Sequence, residues 1–304
     1  MEFLYLLERI RIPVLNEFML LITQLGEETA FLVVALVLFW CVDKYKGYYV
    51  LSVGFLGTLA NQFMKLWFRI PRPWVLDEKF TILEQAREAA SGYSFPSGHT
   101  QSAVGTFGSV AYTTKNKWVR IFAALIAVLV PFSRMYIGVH TPLDVGVAVL
   151  IALILILVLR PVVFGRNGKN MPFVLAGMSV LAVAYLCYVE FYPFPVDIDA
   201  HNLESGIENA YTLLGALIGF CVVYIVDEKW LNFSVKAVWW AQVLKVLFGL
   251  VLVLIVKSGL KAPLNILFGE SVGRAVRYFA IVIVAGIVWP LSFRLFGKLK
   301  TKEK

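Results

Sequence analysis

Three short segments place charge and histidine at spacings that could do chemistry. The first is Lys65-Leu66-Trp67-Phe68-Arg69-Ile70-Pro71-Arg72-Pro73. The second is Pro96-Ser97-Gly98-His99, and the third runs Ser133-Arg134, five residues, His140, three residues, Asp144. Phosphoryl transfer would use such a set, because it asks a protein mainly for positioning and for positive charge on the phosphate oxygens. Lys65, Arg72 and Arg134 supply the charge, and the two arginines add planar, bidentate recognition. Ser97 and Gly98, at the head of a helix, offer a hydroxyl and backbone N–H groups, and Gly98 lets the backbone come close. Asp144, four residues after His140, would share its helix face. A carboxylate on one ring nitrogen sets the tautomer and leaves the other nitrogen as a nucleophile. His99 then serves as the acid for the leaving oxygen and the base for water. No carboxylate-rich site stands near these residues, so the scheme expects no metal and no cofactor.

The elements that must hold these groups are membrane helices. Of the 304 residues, 60% are hydrophobic and only 16% charged, against about half and about a quarter in soluble domains. Apolar stretches long enough to span a bilayer recur between short polar loops. The pattern predicts an all-α, polytopic transmembrane bundle with spans near 27–42, 47–68, 98–114, 118–135, 142–163, 172–190, 208–226, 238–257 and 275–296. Gly, Ser and Thr dilute 98–114 and 118–135, as close helix packing in lipid favours. Residues 1–24 read as an interfacial amphipathic segment interrupted at Pro13, 25–165 as the catalytic core, and 166–304 as additional transmembrane helices. The start, MEFLYLLERIRIP, lacks the basic region and apolar core of a signal peptide. Cys41, Cys187 and Cys221 read as small hydrophobes without disulfide or zinc spacing.

The net charge of +8 lies in the loops of a membrane protein, so it points to topology and anionic lipid rather than nucleic acid. Lys44 and Lys46, then Lys115, Lys117 and Arg120, then Arg166 and Lys169, then Lys229 and Lys236, then Arg294, Lys298, Lys300, Lys302 and Lys304 fall on alternate loops. The positive-inside bias makes these cytoplasmic. The motif ends then lie on the outer face, in what reads as a bacterial plasma membrane.

With these residues in view, the chain resembles the type 2 phosphatidic acid phosphatase superfamily. That family's signature is Lys, six residues, Arg-Pro; Pro-Ser-Gly-His; and Ser-Arg, five residues, His, three residues, Asp. Lys65, Arg72, Pro73, Pro96, Ser97, Gly98, His99, Ser133, Arg134, His140 and Asp144 match every position in order. The resemblance covers about 80 residues and implies a six-helix core with extra C-terminal helices. It implies a phosphohistidine on His140, oriented by Asp144, with His99 as acid/base and Lys65, Arg72, Ser97, Gly98 and Arg134 binding phosphate. It also implies a lipid phosphate or pyrophosphate as substrate, with membrane lipids around the protein. A sugar phosphate, as in the glucose-6-phosphatase branch, is the alternative; a non-catalytic lipid-binding or transport protein on the same scaffold is the second. Oligomeric state is not legible.

Other residues support more than one reading. Arg69 is a headgroup anchor or a support for the phosphate site. His201, with Asp197, Asp199, Glu204 and Glu208, reads as loop surface charge rather than a metal site. Lys245 and Lys257 lie within an apolar span, where a lysine pairs or lines a cavity. Glu27 and Glu28 read as a helix start.

Overall fold

A computed structural model describes residues 1–87, 90, 92–165 and 169–299. Arg166, Lys300, Lys302 and Lys304 of the basic loop set lie outside the described residues. The chain is helical throughout, 81% helix with no strand among the described residues. In order the helices are α1 (Glu2–Arg9), α2 (Pro13–Gln24), α3 (Glu28–Val37), α4 (Lys44–Phe68), α5 (Pro73–Leu76), α6 (Gly98–Ala103), α7 (Ser109–Thr113), α8 (Lys117–Tyr136) and α9 (Pro142–Phe164). Then follow α10 (Met171–Phe191), α11 (Ala200–Val226), α12 (Trp239–Gly259), α13 (Lys261–Ile283), α14 (Trp289–Leu291) and α15 (Phe293–Phe296).

Among the described residues, six helical stretches are long and apolar enough to cross a membrane, and the pair Pro13–Gln24 and Glu28–Val42, bent by 54°, makes a seventh if counted as one span. The protein is an integral membrane protein. The expected count of nine is not reached, for two reasons. The stretch 98–113 is helical but short. α4 has 25 residues, but Lys44, Lys46, Asn61, Gln62 and Lys65 dilute its apolar character. Pro13 begins α2 rather than breaking a helix, where its missing N–H costs nothing.

The chain divides into two compact units. The first comprises Met1–Val34, Tyr49–Val162 and Ile198–Leu203, and it contains every motif residue. Its helices close through small residues: a Cβ on Gly57 would collide with the Gln101 side chain, and one on Gly105 would come within 3.3 Å of Val53. That close approach explains why α6, weak by hydropathy, still packs as a helix. Ala103, Phe107, Ala123, Ile126 and Val130 form a buried cluster with Ile22 and Leu25 against it. The Tyr49 hydroxyl donates to the Ile156 carbonyl at 2.7 Å, tying α4 to α9.

The second unit comprises Ala35–Tyr48, Val163–Asp197 and the chain from Glu204 on. Asp227, fully buried, accepts from Lys44 Nζ at 3.1 Å, the Tyr48 hydroxyl at 3.2 Å and the Phe233 N–H at 3.3 Å. Lys245 is also fully buried; its Nζ donates to the Val235 carbonyl at 3.1 Å and sits 4.2 Å from the centroid of the Phe293 ring. It therefore pairs with a carbonyl and an aromatic face, whereas Lys257 is exposed. Glu208 pairs with Arg274. Cys187 is exposed rather than buried.

Candidate active site

The third segment takes its shape from two helix ends. At the end of α8, Gly138 has φ +90°, a left-handed conformation that favours glycine. The Val139 N–H donates to the Arg134 carbonyl and the Gly138 N–H to the Met135 carbonyl, both at 3.1 Å. This is the Schellman pattern of helix termination, and it turns the chain so that Arg134 and His140 meet. Arg11 clamps the turn, its Nε donating to the Tyr136 carbonyl at 3.0 Å.

The next helix starts with a reciprocal cap. The Thr141 N–H donates to Asp144 Oδ2 at 2.7 Å, and the Asp144 N–H donates to Thr141 Oγ1 at 3.3 Å. This is a capping box with aspartate in the acidic place, and Pro142 opens the helix. His140 therefore lies outside α9, not on its face as the four-residue spacing suggested. The cap folds the Asp144 carboxylate back toward it, and Oδ2 stands 3.5 Å from His140 Nδ1. Ser94 Oγ donates to the same oxygen at 2.6 Å.

The other face of the imidazole meets Arg72. One guanidinium nitrogen, Nη1, lies 2.9 Å from His140 Nε2 and donates to the Val139 carbonyl at 2.9 Å, while Nε donates to the Gly92 carbonyl at 2.9 Å. Arginine has donors and no acceptor. Nη1 also lies 3.5 Å from Nδ1, so it stands over the ring and does not choose between the nitrogens. The Asp144 carboxylate facing Nδ1, which only accepts, favours the ring proton there and a lone pair on Nε2. His140 and Asp144 are each 1% exposed. Burial first, then the Arg72, Arg134 and Lys65 cations, hold the His140 pKa well below the ordinary histidine value. Both influences favour the neutral ring.

The remaining residues ring this pair. Lys65, half-buried in the last turn of α4, lies within electrostatic reach of Arg72, Arg134 and Asp144. Just beyond it, Arg69 at φ +51° ends α4 and turns the chain toward Arg72; its backbone, not its side chain, has the visible task. His99, in the first turn of α6, feels Arg134, Lys65 and Arg72. Arg134 is buried and donates through Nη1 to Thr23 Oγ1 at 2.7 Å, and its Nε has no acceptor among the described residues. Ser97 caps α6, its Oγ accepting from the Thr100 N–H at 3.4 Å, while its N–H donates to the Asp144 carbonyl at 3.1 Å. A Cβ on Gly98 would meet only Asn61 Oδ1 at 3.7 Å, an ordinary contact, so crowding by the protein itself does not demand glycine there.

Three residues here escaped the sequence reading. Ser94 bonds the carboxylate that orients His140. Asn61 Nδ2 donates to the Pro96 carbonyl at 3.2 Å and holds the second segment. Thr23 holds Arg134. Only Ser94 had a signal, a buried-type serine next to the Pro-Ser-Gly-His run; Asn61 and Thr23 are ordinary polar residues of apolar helices.

Fixed cations around a buried, oriented imidazole within a helical membrane protein define an integral-membrane phosphoric ester hydrolase. The family model described as the PAP2 superfamily matches residues 45–167, and that of the PAP2 superfamily phosphatase transmembrane extension matches 211–302. Phosphatidylglycerophosphatase B of Bacillus subtilis is 34% identical over 149 residues, covering 45% of this chain and 69% of that protein. Undecaprenyl-diphosphatase of Sulfolobus acidocaldarius is 31% identical over 136 residues, covering 44% and 64%. The crystal structure of a PAP2-type phosphatidylglycerolphosphate phosphatase from Bacillus subtilis is 32% identical, with TM-score 0.43, covering 52% of this chain and 80% of that one. The chain belongs to the PAP2 superfamily.

Proposed function

We propose that this protein is a membrane-embedded phosphatase that removes a phosphoryl group from a lipid phosphate or pyrophosphate through a phosphohistidine on His140. The observation that carries this reading is the contact of Arg72 Nη1 with His140 Nε2 at 2.9 Å. It supports the reading because it sets a cation against the imidazole that would attack phosphorus. Burial and the Arg134, Lys65 and Arg72 cations lower the His99 pKa as they lower that of His140, so the bound phosphate must first offset those cations for His99 to carry a proton. In the first step Nε2 then bonds to phosphorus, the bond from phosphorus to the leaving oxygen breaks, and His99 gives that oxygen its proton. In the second, water attacks phosphorus, His99 takes its proton, the Nε2–P bond breaks and inorganic phosphate leaves. Arg72, Arg134 and Lys65 stabilise the charge on the equatorial oxygens, and Ser97 and Gly98 border the same space. Asp144 balances the positive charge that the ring gains while phosphorylated.

The relatives' substrates support a lipid: one is named for phosphatidylglycerophosphate and another for undecaprenyl diphosphate. We read residues 25–165 as the catalytic core and 166–304 as an added membrane segment. We place the site on the outer face of a bacterial plasma membrane and hold the reaction to be independent of metal. The test is phosphate release by the purified protein from short-chain phosphatidate, phosphatidylglycerophosphate, sphingoid-base phosphate and polyprenyl diphosphate, with glucose 6-phosphate as competitor. Release from a lipid that His140→Ala abolishes and EDTA leaves intact is expected. Faster turnover of glucose 6-phosphate than of every lipid would replace the lipid reading with the sugar phosphate one.

A further inference from the structure

We propose that the bend between α2 and α3, residues Thr23–Glu27, is a positioning element for the acid/base His99 and the phosphate-binding Arg134; this rests on the phosphohistidine reading above. None of these residues belongs to the three motif segments. α2 and the helical stretch Glu28–Val42 meet at 54°. The bend is closed by bonds three residues back: the Leu25, Gly26 and Glu27 N–H groups donate to the Ile22, Thr23 and Gln24 carbonyls at 3.1, 2.9 and 3.1 Å.

Two faces of this turn touch the site. On one, the buried Thr23 hydroxyl accepts from Arg134 Nη1 at 2.7 Å. Arg134 is 1% exposed and bonded to no carboxylate among the described residues; after the Arg72 cation, the charge that acts on it is that of Glu27, on the same turn. Thr23 thus anchors one end of the guanidinium, and the Nε edge, which has no acceptor among the described residues, is left for a phosphate oxygen. A planar fork held at one end presents its other edge in a set direction, which a freely rotating one does not.

On the other face, Gly26 lies directly under His99. A Cβ at Gly26 would stand 2.8 Å from the His99 carbonyl oxygen, 3.0 Å from His99 Cβ and 2.8 Å from Val130 Cγ1. Ordinary contact at such a position begins at 3.4 Å. An alanine would therefore push the His99 backbone by several tenths of an ångström, and the ring moves with it. Proton transfer is sensitive to such shifts, since misplacement by about 1 Å costs on the order of a hundredfold in rate. The glycine is needed for closeness, not for backbone conformation.

A simple packing role and a positioning role differ in which reactions they slow. A displaced general acid harms a poor leaving group, which must be protonated, far more than an activated aryl group, which leaves as an anion. The experiment compares a short-chain lipid phosphate with p-nitrophenyl phosphate for wild type, Gly26→Ala, Val130→Ala, the double variant Gly26→Ala/Val130→Ala and His99→Ala, each checked for a cooperative melt in detergent. Gly26→Ala is expected to lower kcat on the lipid phosphate about tenfold or more, to spare the aryl ester and to leave KM nearly unchanged. Val130→Ala should behave as wild type, and the double variant should keep the defect, because the contact with His99 remains. Thr23→Val should raise KM and weaken vanadate inhibition about tenfold, with Thr23→Ser restoring both. Equal slowing of both substrates by Gly26→Ala, or recovery in the double variant, would overturn the role of Gly26. Unchanged KM and vanadate affinity in Thr23→Val would overturn that of Thr23, which this arm decides even if Gly26→Ala does not fold. If His99→Ala itself fails to discriminate the two substrates, the phosphohistidine scheme with His99 as acid is wrong; if it discriminates and Gly26→Ala does not, only the present inference falls.

Discussion

Asp144→Asn separates two ways in which a carboxylate can serve a histidine. Asp144 Oδ2 accepts from the Thr141 N–H at 2.7 Å and from Ser94 Oγ at 2.6 Å, and it faces His140 Nδ1 at 3.5 Å. An asparagine must keep its oxygen at that point, because its NH₂ group would meet the Thr141 N–H head-on. The Nδ1–H tautomer of His140 is then retained, and only the charge is removed. At 3.5 Å a full charge on the phosphorylated ring and the carboxylate interact by about 5 kcal/mol at an effective dielectric constant of about 20. The neutral oxygen keeps roughly 1 kcal/mol as an ordinary hydrogen bond, so about 3–4 kcal/mol of intermediate stabilisation is lost. At about 1.4 kcal/mol per factor of ten, kcat should fall between a hundredfold and a thousandfold. The assay is phosphate release from saturating short-chain lipid phosphate, beside ¹⁵N NMR of the three histidines to read the tautomer. A fall of less than tenfold would refute the charge argument, and a proton found on Nε2 would refute the capping-box argument.

Other outcomes follow from the same geometry. Because burial and the neighbouring cations lower the His140 pKa, its ring should stay neutral as pH falls through 6.5, where an ordinary histidine is half protonated; its ¹⁵N shifts should move only below that point, and a midpoint at or above 6.5 would contradict the site. Arg134→Lys keeps a charge but loses the Nε edge and the Thr23 contact, so kcat/KM should drop about a hundredfold with an unchanged melting profile. In the second unit, Asp227→Ala removes the buried carboxylate to which Lys44, Tyr48 and the Phe233 N–H donate and should cost about 1–3 kcal/mol, read as a lower thermal midpoint in detergent. Millimolar vanadate should inhibit the wild-type enzyme by occupying the place of five-coordinate phosphorus, and insensitivity would count against a histidine nucleophile.

Much of the site was legible before any fold was known. The spacing of Lys65 and Arg72, of Ser97 and His99, and of Arg134, His140 and Asp144 sets which groups can meet once helix ends are brought together. The means by which they meet was less legible. The relation of His140 to Asp144 looked like two residues on one helix face, yet it is a capping box with the histidine outside the helix. That capping box, Thr141-Pro142-Leu143-Asp144, and the left-handed Gly138 were both present as local signals, and both concern helix termination rather than catalysis. The count of nine spans is not confirmed, because helix formation and an apolar length sufficient for crossing are separate conditions. α4 meets the first but is diluted by polar residues, and 98–113 is a packed helix too short to stand alone by hydropathy.

Sequence alone determined that the chain is a helical membrane protein and which side chains are the candidates for its phosphate chemistry, because hydropathy and motif spacing are properties of neighbours along the chain. Tertiary structure alone decided who holds those side chains. Arg72 accepts its place from the Gly92 and Val139 carbonyls, Asp144 from Ser94, Arg134 from Thr23, and His99 from the missing side chain of Gly26. These partners lie 20 to 111 residues from the groups they support where a hydrogen bond joins them. Contacts between residues that far apart leave no periodicity to read; packing creates them, where a buried charge must find a partner and a backbone must pass another within a methyl group's width.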